Sequence, residues 1–354
     1  MANREQMTSR ERIAALYRRE LTDRVPFMHK GYAFCAKHTG IDLSDIYRDP
    51  HKSFEAQKRI FETIGMDGGP FYTFIAYGAG EFGGTIRYPK TQASYGPEVG
   101  ERPVLKPEDI EGLQLPEVRT AGCIPNSMEF ARLQEAEDYE IAFICGTPFT
   151  HAANLCGVAE FLTYTKKYPE LVHKALRLMT DHILEVAQYY VDTFGKGRVL
   201  ARAVSPTESN ALISPKTFEE FALPYVKELN SRVLEMGAKS IYIHMCGKQN
   251  KNLPKWAEVP FGDPGIISIG TEVSLREAAE FFPQHVIAGN LDPQIITRGT
   301  PQEVYEASRI NILEGKELLR GRYIFMAGCE IPPNAPYENI VSMKRAVDDF
   351  GWYE

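Results

Sequence analysis

The sequence predicts an α/β protein of the (β/α)8, or TIM-barrel, class, and three observations carry that prediction. Short β-rich runs alternate with longer helical patterns almost to the end of the chain, and there are eight of them. No glycine-rich turn of the GxGxxG or GxxxxGK[ST] kind follows an early strand. The alternation argues for a parallel sheet with helical crossovers, and the number eight argues for closure. The missing phosphate-binding turn weighs against the main alternative, a doubly wound open sheet. With 354 residues, 44% of them hydrophobic, the chain can build one large core. It reads as a single domain over 1–354, with an N-terminal helical extension over 1–24.

The candidate strands are "VPFMH" (25–29), a weak one near "MDGGPFYTF" (66–74), "IAFIC" (141–145) and "RVLARAV" (198–204), followed by "SIYIHM" (240–245), "GIISIG" (265–270), "HVIAGN" (285–290) and "YIFMAG" (323–328). Helices between them carry the expected start and stop residues. In "SPKTFEEFALPYVKELNSRVLEMG", Ser214 is the N-cap, Pro215 the first helical residue, and Gly237 follows the end. Pro224 is expected to kink or split that helix. Thr300, Pro301 and Gly315 repeat the plan, and Pro336 and Gly351 bracket the last helix. Residues 75–125, rich in Gly and Pro, read as a long excursion between strands two and three. There is no internal repeat and no low-complexity segment.

Net charge is −7 with both signs interspersed, so no basic stripe offers itself to nucleic acid. The charged N-terminus lacks the apolar core of a signal peptide, and no apolar run approaches the roughly 18 residues of a membrane span. The six cysteines, at 35, 123, 145, 156, 246 and 329, have no disulfide-framework spacing. These features lead us to expect a reduced, cytoplasmic protein.

"IYIHMCGK" (241–248) places His244 and Cys246 two residues apart at the end of the fifth candidate strand. Residues i and i+2 of a strand point the same way, so both side chains can face one ion, and Gly247 suits a backbone turning away. Cys329 follows the eighth strand, in "FMAGCEIPP". Barrel enzymes carry their chemistry at the C-terminal ends of strands, where these three residues would converge. One imidazole and two thiolates suit zinc, and three protein ligands with an open position form the catalytic pattern. The other reading is plain packing, because cysteines in strands are usually buried core. The residues alone leave both open.

Taken in order, several motifs make the sequence resemble the uroporphyrinogen decarboxylase superfamily, and within it the zinc-dependent, corrinoid-linked methyltransferases. They are "MTSRERIAALYRRELTDRVPF", "EFGGTIRYPKTQASYGPEVGERPVLKPEDIEGLQLPEV", "GTPFTHAANLCGVAEFL", "ISPKTFEEFALPYVKEL", "IHMCG", "VIAGNLDP" and "GCEIPPNAPYENI". True decarboxylases of the superfamily carry an arginine-rich loop after the first strand for substrate carboxylates. Here "VPFMHKGYAFCAKHTG" has no arginine, which opposes that activity. His244, Cys246 and Cys329 match the zinc ligands of the methyltransferase branch.

The resemblance implies zinc as cofactor, a corrinoid of the methylcobalamin type carried by a partner protein, and a small-molecule methyl acceptor or donor. In the family, zinc activates a thiol that takes the methyl group; the reverse direction, from a methyl donor to reduced corrinoid, is the rival. Glu272, in "SIGTEVS", is a candidate fourth ligand or proton acceptor, or else caps the next helix. Glu208 and Asn210, in "SPTESNALISP", are candidate pocket residues or solvated loop. Asn290 and Asp292, in "GNLDP", match a family motif near the pocket, though the segment also suits a turn. His151 and Cys145 read as pocket wall or packing. The stretch "GGPFYTFIAYGAGEFGG" has the composition of a flexible lid.

Overall fold

The computed structural model describes residues 6–90 and 96–354. Residues 1–5 of the expected N-terminal extension and 91–95 of the excursion lie outside the described residues. Strands β1 (Ile86–Arg87) and β2 (Glu98–Val99) form a small antiparallel pair within the excursion. The barrel wall is built from β3 (Ile141–Ile144), β4 (Val199–Val204), β5 (Ser240–Met245), β6 (Ile266–Ile269), β7 (Val286–Leu291) and β8 (Tyr323–Ala327). These six are parallel and hydrogen-bonded in sequence order, with helices between them. The fold is a TIM-type α/β barrel.

Period-2 alternation divides the apolar side chains into two populations. Ala142, Leu200, Tyr242, Ile266, Val286, Ala288, Ile324 and Met326 fill the lumen, where Leu16 of the N-terminal helix Ser9–Tyr17 joins them. Ile241, Ile243, Ile267, Ile269, Ile287 and Phe325 face outward into the larger sheet–helix core. The N-terminal helix is started by a Thr8–Glu11 capping box. It is anchored by Arg12, whose buried guanidinium pairs with Asp23 and Asp67 at 2.7 and 2.6 Å. Because strand parity fixes the inward set, the inward residues beyond Leu200, Tyr242 and Ile266 are Arg202, His244 and Ser268.

The expected strands at 25–29 and 66–74 are not regular strands, so the ladder has six members rather than eight. Segment 25–29 bonds to β8 through Phe325 N–H to Pro26 O and Met28 N–H to Phe325 O, at 2.9 and 3.1 Å. On its other side a carboxylate replaces the ladder: Phe27 N–H donates to Asp67 Oδ2 at 2.8 Å, and Asp67 N–H returns a bond to Phe27 O at 2.7 Å. Gly68, Gly69 and Pro70 interrupt further pairing. The last gap is bridged by one side chain. Gln134 donates Nε2 to Pro70 O at 2.8 Å and accepts from Ala142 N–H of β3 at 3.0 Å.

Ser214 caps its helix as expected, accepting from Thr217 N–H, and Gly237 ends it in the left-handed conformation. Pro224 is the second residue of the helix Leu223–Met236, which continues from a π-helical turn, Phe218–Ala222, so the missing N–H falls in a first turn. The expectation for Gly315 is corrected. The helix Pro301–Leu319 runs through it, because a Cβ at Gly315 would lie 2.2 Å from the Tyr323 ring. Glycine there permits close packing and does not end the helix. Among the described residues no helix is long and apolar enough to cross a membrane.

Candidate metal centre

His244 points into the lumen at the C-terminal end of β5, Cys246 follows on the same face, and Cys329 arrives from the turn after β8. One ligand atom from each lies within 4.8 Å of the other two. The turn after Cys246 requires glycine: Gly247 has φ +69°, and a Cβ on it would sit 2.9 Å from Ser209 Oγ.

The imidazole is held for ligation. His244 Nδ1 is 3.0 Å from Ser268 Oγ, while Nε2 is buried and has no hydrogen-bond partner. Burial, and then the positive charge of Lys30, push the His244 pKa down, which keeps the ring neutral. With its proton on Nδ1, the ring presents an Nε2 lone pair to the ligand cluster. The two thiols lie within 4.8 Å of each other and their titrations are linked. Their proximity lets one thiolate form beside a thiol that stays protonated, a property of the pair. Two half-buried thiols and a neutral imidazole with an orphaned nitrogen match the donor chemistry and spread of a zinc site, whose bonds are about 2.0–2.3 Å long. We conclude that the residues present fit that ion.

The other residues singled out from the sequence fall in different places. Glu272 is exposed and does not cap the next helix, a role taken by Ser274 with Glu277. Its Oε2 lies 2.7 Å from the position of a Cβ on Gly270, a point 3.6 Å from Gly247 N and from Gly328 O. The carboxylate therefore stands beside the backbone neighbours of both cysteines, outside the three-residue cluster. Glu208 is buried, and its Oε2 accepts from Thr150 Oγ1 at 2.6 Å while Oε1 has no partner. Burial raises its pKa to about 6, opposed by hydroxyl hydrogen bonding from its threonine neighbours, of which Thr150 makes the short bond. Asn210 accepts from Lys251 N–H and keeps a buried, unpartnered Nδ2.

Asn290 spends both ends of its amide on structure, donating to Val273 O and accepting from Asn311. Asp292 caps the helix Pro293–Arg298. Cys145 is core, and His151 is buried against Tyr77 and Gly146. The lid expectation fails, because Phe71, Tyr72, Phe74 and Tyr77 of that stretch are buried in the main core.

Sequence reasoning passed over Ser268 and Lys30. Ser268 carried a signal: it lies in the strand aligned with "SIYIHM", on the inward parity. Lys30 follows the first β-rich run, is only 8% exposed, and bears electrostatically on His244, Cys246 and Cys329. A lysine just past a strand end reads as solvated in a sequence.

Comparison with known proteins gives the family and the fold. A protein from Methanosarcina acetivorans named methylcobamide:CoM methyltransferase MtbA is 26% identical over 97% of this chain and 98% of its own. A uroporphyrinogen decarboxylase from Anaeromyxobacter dehalogenans is 23% identical over 96% and 99%. A solved methyltransferase from Methanosarcina mazei superposes with a TM-score of 0.82 over 98% of this chain and 99% of that one at 22% identity, which shows a common fold. The family model described as uroporphyrinogen decarboxylase (URO-D) matches residues 8–350, and the chain belongs to that family.

Proposed function

We propose that this protein is a zinc-dependent methyltransferase that moves a methyl group between a corrinoid, carried by a partner protein, and a thiol held at the metal centre. The observation that carries the reading is the convergence of His244, Cys246 and Cys329, which no fourth side-chain ligand joins among the described residues. A structural zinc site is closed by four protein ligands; three leave a position for substrate. The full-length similarity to a methylcobamide:CoM methyltransferase supports the corrinoid. The absence of arginine from residues 25–40, the first β-rich run and the segment after it, argues against decarboxylation of a polycarboxylate.

Zinc, when bound, supplies the charge that turns a substrate thiol into a nucleophilic thiolate near neutral pH. The chain's own residues hold and balance that charge. Ser268 fixes the tautomer of His244, and Cys246 and Cys329 serve as thiolates. Two cysteinates and a substrate thiolate around a divalent ion sum to one negative charge, which the buried Lys30 ammonium offsets. Glu272, at the mouth, is placed to take the proton that the thiol gives up. Glu208 and Asn210 each retain an unpartnered polar atom and form the substrate-facing pair. Asn290 acts through position, tying β7 to the loop after β6.

Zinc stoichiometry of the wild type beside Cys329→Ser tests the site, and demethylation of methylcobalamin by a panel of thiols tests the reaction. About one zinc in the wild type, lost in the variant, with demethylation by at least one thiol, is the expected result. A metal-replete wild type without zinc overturns the reading. Methylation of reduced corrinoid by a methylthiol, with no demethylation, would reverse the direction.

A further inference from the structure

A cavity lies at the N-terminal end of the strands, opposite the end that carries the candidate metal centre. Its volume is about 590 Å³, and it is walled by the N-terminal halves of β3, β4 and β5 and by the N-terminal helix. Arg202 projects inward from β4 at its inner end. The guanidinium carbon is 3.4 Å from the centre of the Phe71 ring and 4.1 Å from that of Tyr242. Rings this close occupy the faces of the cation, leaving the N–H edge as its free side.

The remaining cations of this wall are already compensated. Arg10 pairs with Asp138, Lys239 with Glu140 and Arg198 with Glu135. Among the described residues no carboxylate pairs with Arg202, which is half-buried in a lumen otherwise lined here by Met28, Ala142, Leu200 and Ile266. The cavity thus presents one uncompensated positive charge, a planar set of donors at one end and apolar walls beside it.

We infer that this cavity binds a small monocarboxylate with an apolar body, its carboxylate bonded to the edge of Arg202. A guanidinium edge matches a carboxylate in paired hydrogen bonds. A single unpaired cation balances a monoanion, whereas a phosphate monoester would leave excess negative charge in an apolar lumen. The volume is in the range of small-molecule sites, about 300–1,000 Å³. The ligand is distinct from the thiol of the proposed methyl transfer; because Arg202 also bears electrostatically on His244, octanoate binding and zinc content are read separately.

Isothermal titration of the zinc-loaded, full-length protein with octanoate, and separately with inorganic phosphate, tests it. We expect one saturable octanoate site in the wild type, weakened at least tenfold in Arg202→Met, with zinc content unchanged. Ala142→Leu, which fills the apolar wall and leaves the cation in place, should weaken it comparably and decides the matter if Arg202→Met does not fold. Lack of octanoate binding by the wild type, unaltered binding in the folded variants, or a preference for phosphate each overturns the inference.

Discussion

His244 and Ser268 face each other across the β5–β6 ladder, and the imidazole Nδ1 is hydrogen-bonded to the serine hydroxyl over 3.0 Å. The bond belongs to the candidate metal centre, because it occupies Nδ1 and leaves Nε2 facing the two cysteines. Removing the partner of a ligating histidine typically costs 10–100-fold in metal affinity. Ser268→Ala should therefore bind zinc about 10–100-fold more weakly with little change in melting temperature, as measured by competition with a chromogenic chelator. Wild-type affinity in the variant would show that the hydroxyl does not orient the ring.

Glu208 gives the second expectation, from its raised pKa. Below the ordinary glutamate value of 4.5 the folded and unfolded states are both protonated and the residue is neutral to stability. Between that value and about 6 the folded state still holds the proton, so stability falls as pH rises; above about 6 the full cost is present. Glu208→Gln should abolish that loss and be more stable than the wild type at pH 8, on the order of 1–2 kcal/mol. Because Glu208 is placed as substrate-facing, KM for the thiol should also lose an ionisation near pH 6. Denaturant midpoints and KM across pH 4.5–8 would show both, and parallel wild-type and variant curves would refute them.

Gly315 gives the third. Helix propensity alone predicts that Gly→Ala inside a helix stabilises by about 1 kcal/mol. Here the added methyl meets the buried Tyr323 ring, whose hydroxyl donates to Gly289 O at 2.8 Å and bonds Asn311 at 2.7 Å. The ring is held at both ends and has no easy retreat. Gly315→Ala should lower stability by about 1–3 kcal/mol, the usual cost of overpacking, as read from urea unfolding. A rise in the midpoint would show that the helix gives way instead.

The legible parts of the fold share a cause. Strands β3 to β8 are mostly apolar runs, and β4 to β8 are paired on both edges by backbone, so their composition announces them. Segments 25–29 and 66–74 owe their places to the side chains of Asp67 and Gln134, and hydropathy patterns do not register such bonds. At the metal centre, His244 and Cys246 were legible because period-2 geometry puts them on one face, and Cys329 because it ends a strand of the same barrel. Lys30 and the orphaned atoms of Glu208 and Asn210 were not, since a sequence gives no account of which polar atoms folding strips of water.

The metal centre also has an order of assembly. Its ligands come from β5 and from beyond β8, and β8 itself is hydrogen-bonded both to β7 and to the segment at 25–29. During synthesis His244 and Cys246 emerge long before Cys329, and the three meet only when the final strand seals the wall against the first segment. On the proposed reading, metal capture becomes the closing stitch of the barrel, and a chain truncated before its last strand would leave the ribosome tunnel with two of the three candidate ligands.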